Sequence, residues 1–146
     1  MPAVDEITFL VSERADLGTL EVLPAIGGVP LTTLIDAYEL GAGMLPAGGA
    51  YGGLIPAFYR FGSMDRHFRG GSTETFGPAT PVLACECGRW DDWPLLCRIG
   101  LTDRAVTWDV FAQPYRPARD YTRFGPFRFR RDAYEDALAD LALTLA

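Results

Sequence analysis

Three cysteines, one histidine and a pair of aspartates carry the residue types in this chain that do chemistry. Cys85, Cys87 and Cys97 all fall between positions 85 and 97. Cys85 and Cys87 are two apart on a segment that reads as a strand, so both side chains should leave one face. If residues 88–94 close an antiparallel hairpin, Cys97 comes opposite Cys85 and the three sulfurs cluster. Three chemistries then compete. The cluster is buried and inert, since a free cysteine behaves as a small hydrophobe. Or it is a zinc site, which wants four ligands and could draw on Cys85, Cys87, Cys97, His67 and Asp92. Or it does nucleophilic or redox work, which needs a lowered thiol pKa; Arg89 and Arg98 could supply the positive charge. His67 is the only histidine, so a histidine-rich metal site is excluded. Beside Asp65 and Arg66 it is a candidate general base for Cys85 or Cys87, or else a surface or capping residue. Asp91 and Asp92 could hold a cation or act as acid and base, or serve only as turn residues.

A second constellation could bind rather than react. Between Tyr115 and Arg131 stand Arg116, Arg119, Arg123, Arg128, Arg130 and Arg131 against a single acid, Asp120, with Tyr115, Tyr121, Phe124, Phe127 and Phe129 among them. Guanidinium groups interleaved with aromatic rings suit an anionic ligand, a protein surface or single-stranded nucleic acid, or they pair internally with the chain's own acids. An acidic chain of net charge −6 and pI near 4.7 argues against nucleic acid. Upstream, Gly48-Gly49-Ala50-Tyr51-Gly52-Gly53 is neither a Walker A loop nor a dinucleotide fingerprint, and the chain has no lysine to reach a phosphate. It allows close backbone approach and tight turns, or faces a ligand around Tyr51. Tyr51, Tyr115, Arg116, Arg119 and Arg123 are the candidate ligand or partner contacts.

These residues need elements to position them. Glu6–Ser12 and Thr19–Leu23, joined at Asp16-Leu17-Gly18, read as a hairpin. Pro30–Glu39 reads as a helix with Leu31, Leu34, Ile35 and Tyr38 on one stripe. Residues 41–53 are a glycine-rich loop, Leu54–Phe61 a strand or buried extended segment, and Ser63–Phe68 one helical turn capped by Ser63. Gly70–Thr80 is a loop. Val82–Cys87, Leu95–Leu101, Ala105–Phe111 and Phe127–Phe129 are strands, with Pro114–Pro126 a loop. A final helix begins at Asp132, whose spacing to Glu135 matches a capping box. Its stripe is Tyr134, Leu138, Leu141 and Leu145. Strands and helices do not alternate regularly. The expectation is an α+β fold: a mainly antiparallel sheet of about five to six strands, with two helices packed on one face.

A length of 146 residues, with no linker or repeat, predicts one domain spanning 1–146. No apolar run is long enough to cross a membrane, and no basic segment followed by an apolar run opens the chain. An odd cysteine count does not suit a secreted disulfide framework. A cytoplasmic protein is expected.

From Val82 to Leu138 the chain resembles an uncharacterised family of small bacterial proteins. Their shared core runs C-x-C-G, then C-W-P-L, then W-x-x-F-x-Q-P-H-R, then G-P-F-x-F before the last helix. The residues that carry the likeness are Cys85-Glu86-Cys87-Gly88, Trp93-Pro94-Leu95, Trp108 and Phe111 to Arg116, Gly125 to Phe129, and Tyr134. Weaker similarity extends over Gly48–Phe61. The family's third cysteine falls at or near Asp92 here, and its histidine at Tyr115. The resemblance implies that any family metal site is altered or lost in this chain, and it brings no activity with it. The reading is therefore a small non-enzymatic binding or interaction protein, of the size and acidity common in immunity or regulatory partners. A protein or small anion is its expected partner, no cofactor is expected, and oligomeric state is left open. The alternatives are a small enzyme using a cysteine or an arginine–tyrosine pocket, and a remnant or altered zinc domain.

Overall fold

The computed structural model describes residues 4–58, 62–73, 76–89 and 92–146; Tyr59, Arg60, Phe61 and Asp91 lie outside them. The alternation in the first segment produces the expected hairpin. Strands β1 (Ile7–Arg14) and β2 (Thr19–Ile26) pair from Ile7↔Ile26 to Arg14↔Thr19. A short β3 (Val29–Pro30) completes an antiparallel three-stranded sheet. The second sheet has five strands in the order β4 (Tyr51–Gly52), β5 (Ala79–Cys85), β6 (Leu95–Leu101), β7 (Ala105–Ala112) and β8 (Phe127–Arg130), all antiparallel. The class is α+β, with the strands divided between two sheets rather than gathered in one.

Helix α1 (Leu31–Gly41) packs on β2 and β3, and helix α3 (Arg131–Leu145) on β1, β7 and β8. A single turn, α2 (Met64–His67), lies against α3 and has the Ser63 cap expected of it: Ser63 Oγ accepts from the Arg66 amide. The start of α3 differs from expectation. Arg130 is the capping residue and makes no side-chain cap. Asp132 sits inside the first turn, and Glu135 turns away to Arg69 and Arg131. A dipole-favoured acid in the first turn thus replaces the capping box.

The core joins both sheets and both long helices. Its aromatic centre is Trp108, whose indole N–H donates to Tyr134 Oη, which in turn donates to the Phe68 carbonyl. Burial at full satisfaction keeps these polar tips from costing stability. Leu54 bridges to Val22 through two backbone hydrogen bonds. Gly53 is required beside that bridge, because a Cβ there would lie 2.7 Å from the Val22 carbonyl. Gly53 therefore lets the backbone close on β2, while Gly52 lies against the Cys85 carbonyl at the end of β5. No helix among the described residues is long and apolar enough to cross a membrane.

Candidate functional site

The β5–β6 hairpin is where expectation and structure part. Thr80, not Cys85, faces Cys97, because the strands part earlier than supposed: Leu95 already lies opposite Leu83 rather than Cys87, and the shift between Pro81 and Leu83 adds only one further residue. Proline lacks the ladder N–H, and such residues gather at bulges. Cys85 ends β5 and pairs instead with Tyr51 on β4. The three-sulfur cluster does not form. Cys97 is fully buried in the core, and burial pushes its thiol well above the usual value.

Beyond Cys85 the chain turns at once. The Gly88 amide bonds to the Cys85 carbonyl, the Cys85 amide to the Arg89 carbonyl, and the Cys87 amide to Cys85 Sγ at 3.4 Å. Gly88 has φ +92° and packs so closely that a Cβ would sit 2.7 Å from Leu17 Cδ1. Arg14 braces the turn from the first hairpin by donating to the Glu86 carbonyl at 3.0 Å. The result brings one ligand atom each from Cys85, Cys87 and Asp92 within 4.8 Å of one another. Burial first, and then the hydrogen bond with Cys87, push the Cys85 thiol up to about 11. At neutral pH it is a protonated thiol and a poor nucleophile.

His67 is remote from this chemistry. It is buried in the core, with Nε2 2.7 Å from the Pro81 carbonyl and Nδ1 2.9 Å from Ser72 Oγ. A carbonyl only accepts, so Nε2 carries the proton. The ring ties α2 to β5, a structural role in place of the surface or base position considered from sequence.

The arginine–tyrosine set is brought together only in part. Tyr51, Arg119 and Tyr121 meet around Glu39, a residue on the buried face of α1 that the sequence reading passed over. Glu39 Oε2 accepts from Arg119 Nη2 at 2.6 Å and from Tyr121 Oη at 2.5 Å, and Oε1 accepts from the Gly48 amide at 2.9 Å. Tyr121 Oη in turn accepts from Arg119 Nε and Tyr51 Oη. Burial works against the Arg119 charge, yet the bonds to Tyr121 and Glu39 outweigh it and raise its pKa. Burial likewise raises Tyr51 and Tyr121. The signal for Glu39 was its spacing: with Leu31 and Ile35 it continues an i, i+4, i+8 row, a charge on an apolar stripe.

Trp93 roofs this network. Its ring meets Tyr51 edge to face and lies 5.4 Å from the Arg119 guanidinium carbon. On it rests Arg116, with the guanidinium carbon 3.4 Å from the ring centroid. Arg116 Nη1 also donates to the Asp92 carbonyl, which joins the stack to the cysteine turn. Tyr115 is half exposed and lies against Phe76. Arg123 is exposed beside Asp120, outside the stack. Among the described residues two buried donors lack a partner, Trp93 Nε1 and Gln113 Nε2.

No family model matches the chain, and no curated protein or solved structure matches it either.

Proposed function

We propose that this is a small cytoplasmic binding protein that does no chemistry on its partner, and that its contact face is the Trp93–Arg116 stack with neighbouring Tyr115. The observation that carries this reading is the state of Arg116. Stacking on an indole fixes a planar cation at small entropic cost and leaves its edges open to a carboxylate or phosphate. Arg116 gives one hydrogen bond, to a backbone carbonyl, and forms no ion pair among the described residues. Arg14, Arg69, Arg119 and Arg131 differ: each is held by internal acids. A fixed but unneutralised guanidinium beside exposed aromatic surface is the usual anchor of an acidic protein segment or a small anion. The enzyme alternative draws less support, because Cys85 is held as a thiol, His67 is engaged in the core, and Glu39 and Arg119 are closed on each other.

The test is an NMR titration following the Arg Nε and Trp Nε1 signals. Oligoglutamate peptide and citrate are the two probes. Saturable shifts at Arg116 and Trp93, lost in Arg116→Gln with the rest of the spectrum unchanged, support the reading. Shifts spread over all exposed arginines, or none at Arg116, overturn it.

A further inference from the structure

We infer that Cys85, Cys87 and Asp92 form a binding site for one thiophilic divalent cation of the zinc class, at the turn between β5 and β6. The inference does not require the Arg116 face to bind a partner, although Arg116 also contacts the Asp92 backbone. It replaces the four-ligand cluster considered from sequence with a different donor set, two sulfurs and one carboxylate, and it leaves out both Cys97 and His67.

Geometry is the first support. In a tetrahedral zinc site with Zn–S bonds of about 2.3 Å, ligand atoms lie about 3.8 Å apart. One donor atom from each of these residues already falls within 4.8 Å of the others, close to the spacing an ion would impose. Thiolate sulfur with a carboxylate oxygen is a donor set that selects zinc over magnesium or calcium, which take oxygen alone.

The second support is the frame around the donors. A metal site depends on outer hydrogen bonds that fix its ligands. Here the Cys87 amide points at Cys85 Sγ, where it would share the charge of a bound thiolate. The Glu86 peptide between the two cysteines is held at both ends: its amide donates to the Ala50 carbonyl at 3.0 Å, and its carbonyl accepts from Arg14. Arg116 holds the Asp92 backbone. Gly88 locks the turn against Leu17, Ile55 and Phe58.

Access is the third. Cys87 and Asp92 are exposed and Cys85 is half-buried. A merely hydrophobic cysteine pair would be expected inside, as Cys97 is. An exposed position gives an ion a path in, and the two thiol protons leave to solvent as it binds.

The experiment is an anaerobic titration of the reduced chain with cobalt(II), read by absorption, followed by zinc(II). The expected result is a sulfur-to-cobalt charge-transfer band with strong tetrahedral d–d bands. It saturates at one equivalent and is bleached by one equivalent of zinc. Cys87→Ser removes or halves the charge-transfer band. Asp92→Asn weakens cobalt binding by at least the roughly tenfold that loss of even an outer-shell group costs. Cys97→Ala leaves the spectrum unchanged. Cys87 and Asp92 are exposed, so circular dichroism should show both variants folded; a folded variant that keeps full cobalt binding counts against the site. A reduced chain with no charge-transfer band overturns the inference. So does a band that survives Cys87→Ser undiminished, or saturation at half an equivalent, which would mean an ion shared between two chains.

Discussion

Glu39 and Arg119, 80 positions apart in the chain, form an ion pair in which no part of the Glu39 side chain reaches solvent. The carboxylate comes from α1 and the guanidinium from the loop after β7. Tyr121, Tyr51 and the Gly48 amide fill the remaining hydrogen-bond positions. Removing one member of such a pair strands the other, at a cost of about 3–5 kcal/mol. Glu39→Ala and Arg119→Ala should each lower unfolding stability by that order in urea titrations. The double variant Glu39→Leu/Arg119→Met should recover much of the loss. If both singles cost under about 1 kcal/mol, the network does not hold the loop.

Glu135 sets an acid limit. Hydrogen bonds from Arg69 and then Arg131 hold its carboxyl down at about 2, against an ordinary 4.5. A depressed folded-state pKa means that the unfolded chain takes up the proton first as pH falls. The stabilisation is therefore whole above pH 4.5 and drains away between there and about 2. Both partners are partly solvated, so salt screens the effect. Comparing Glu135→Gln with the parent by thermal melts, the gap in midpoint should be widest at neutral pH, narrow toward pH 2, and shrink in high salt. A gap independent of pH would remove Glu135 from the ionic account.

Val110 carries a backbone angle of φ 55°. It stands in β7 where two residues are crowded opposite one on β6, the irregularity between Leu96 and Arg98. A β-branched residue is unfavourable in this left-handed conformation by about 1–2 kcal/mol. Its side chain is 57% exposed, so little packing is lost on replacement. Val110→Asn or Val110→Gly should raise stability by about 1 kcal/mol. Unchanged or lower stability in both variants would show that the bulge relaxes around valine.

Thiol counting separates the cysteines. Cys87 is exposed, Cys85 half-buried and Cys97 inside the core. In the metal-free chain, Cys87 should react with a thiol reagent in the native state, Cys85 more slowly, and Cys97 only in denaturant. Rapid native reaction at Cys97, mapped by peptide mass, would contradict the β5–β6 register.

Period-two and helical patterns sufficed for the elements: the first hairpin, α1, the Ser63 turn, β7 and α3 stand within a few residues of where Ile7, Leu31, Val106 and Tyr134 placed them. Pairing across β5 and β6 was not legible. It depends on where the connection begins: Cys85 leaves β6 to pair with Tyr51, so Leu95 meets Leu83 instead of Cys87. A count that centres the loop on 88–94 misses this, with the shift between Pro81 and Leu83 adding one residue more. The capping box at Asp132 failed for a related reason. Glu135 had a stronger partner in Arg69, which is distant in sequence. Of the candidate site, the Cys85–Cys87 spacing and the arginine-rich loop were visible. Glu39 was missed because its side-chain partners, Arg119 and Tyr121, lie beyond position 115, and a lone acid on an apolar stripe declares itself only when its distant cation is known.

The link between α1 and the 113–126 loop also bears on the order in which the chain becomes ordered. Tyr38 donates to the Asp120 carbonyl, so two successive residues of α1 depend on a segment made much later. Until Arg119 has left the ribosome, burying Glu39 would desolvate an unpaired charge, and α1 has no cheap way to dock fully. Closing a loop of this length gains nothing until both ends meet. The glycine-rich stretch after α1, which contributes the Gly48 amide to the same carboxylate, should therefore stay loosely held during synthesis. It would lock in one step when the second half of the chain arrives.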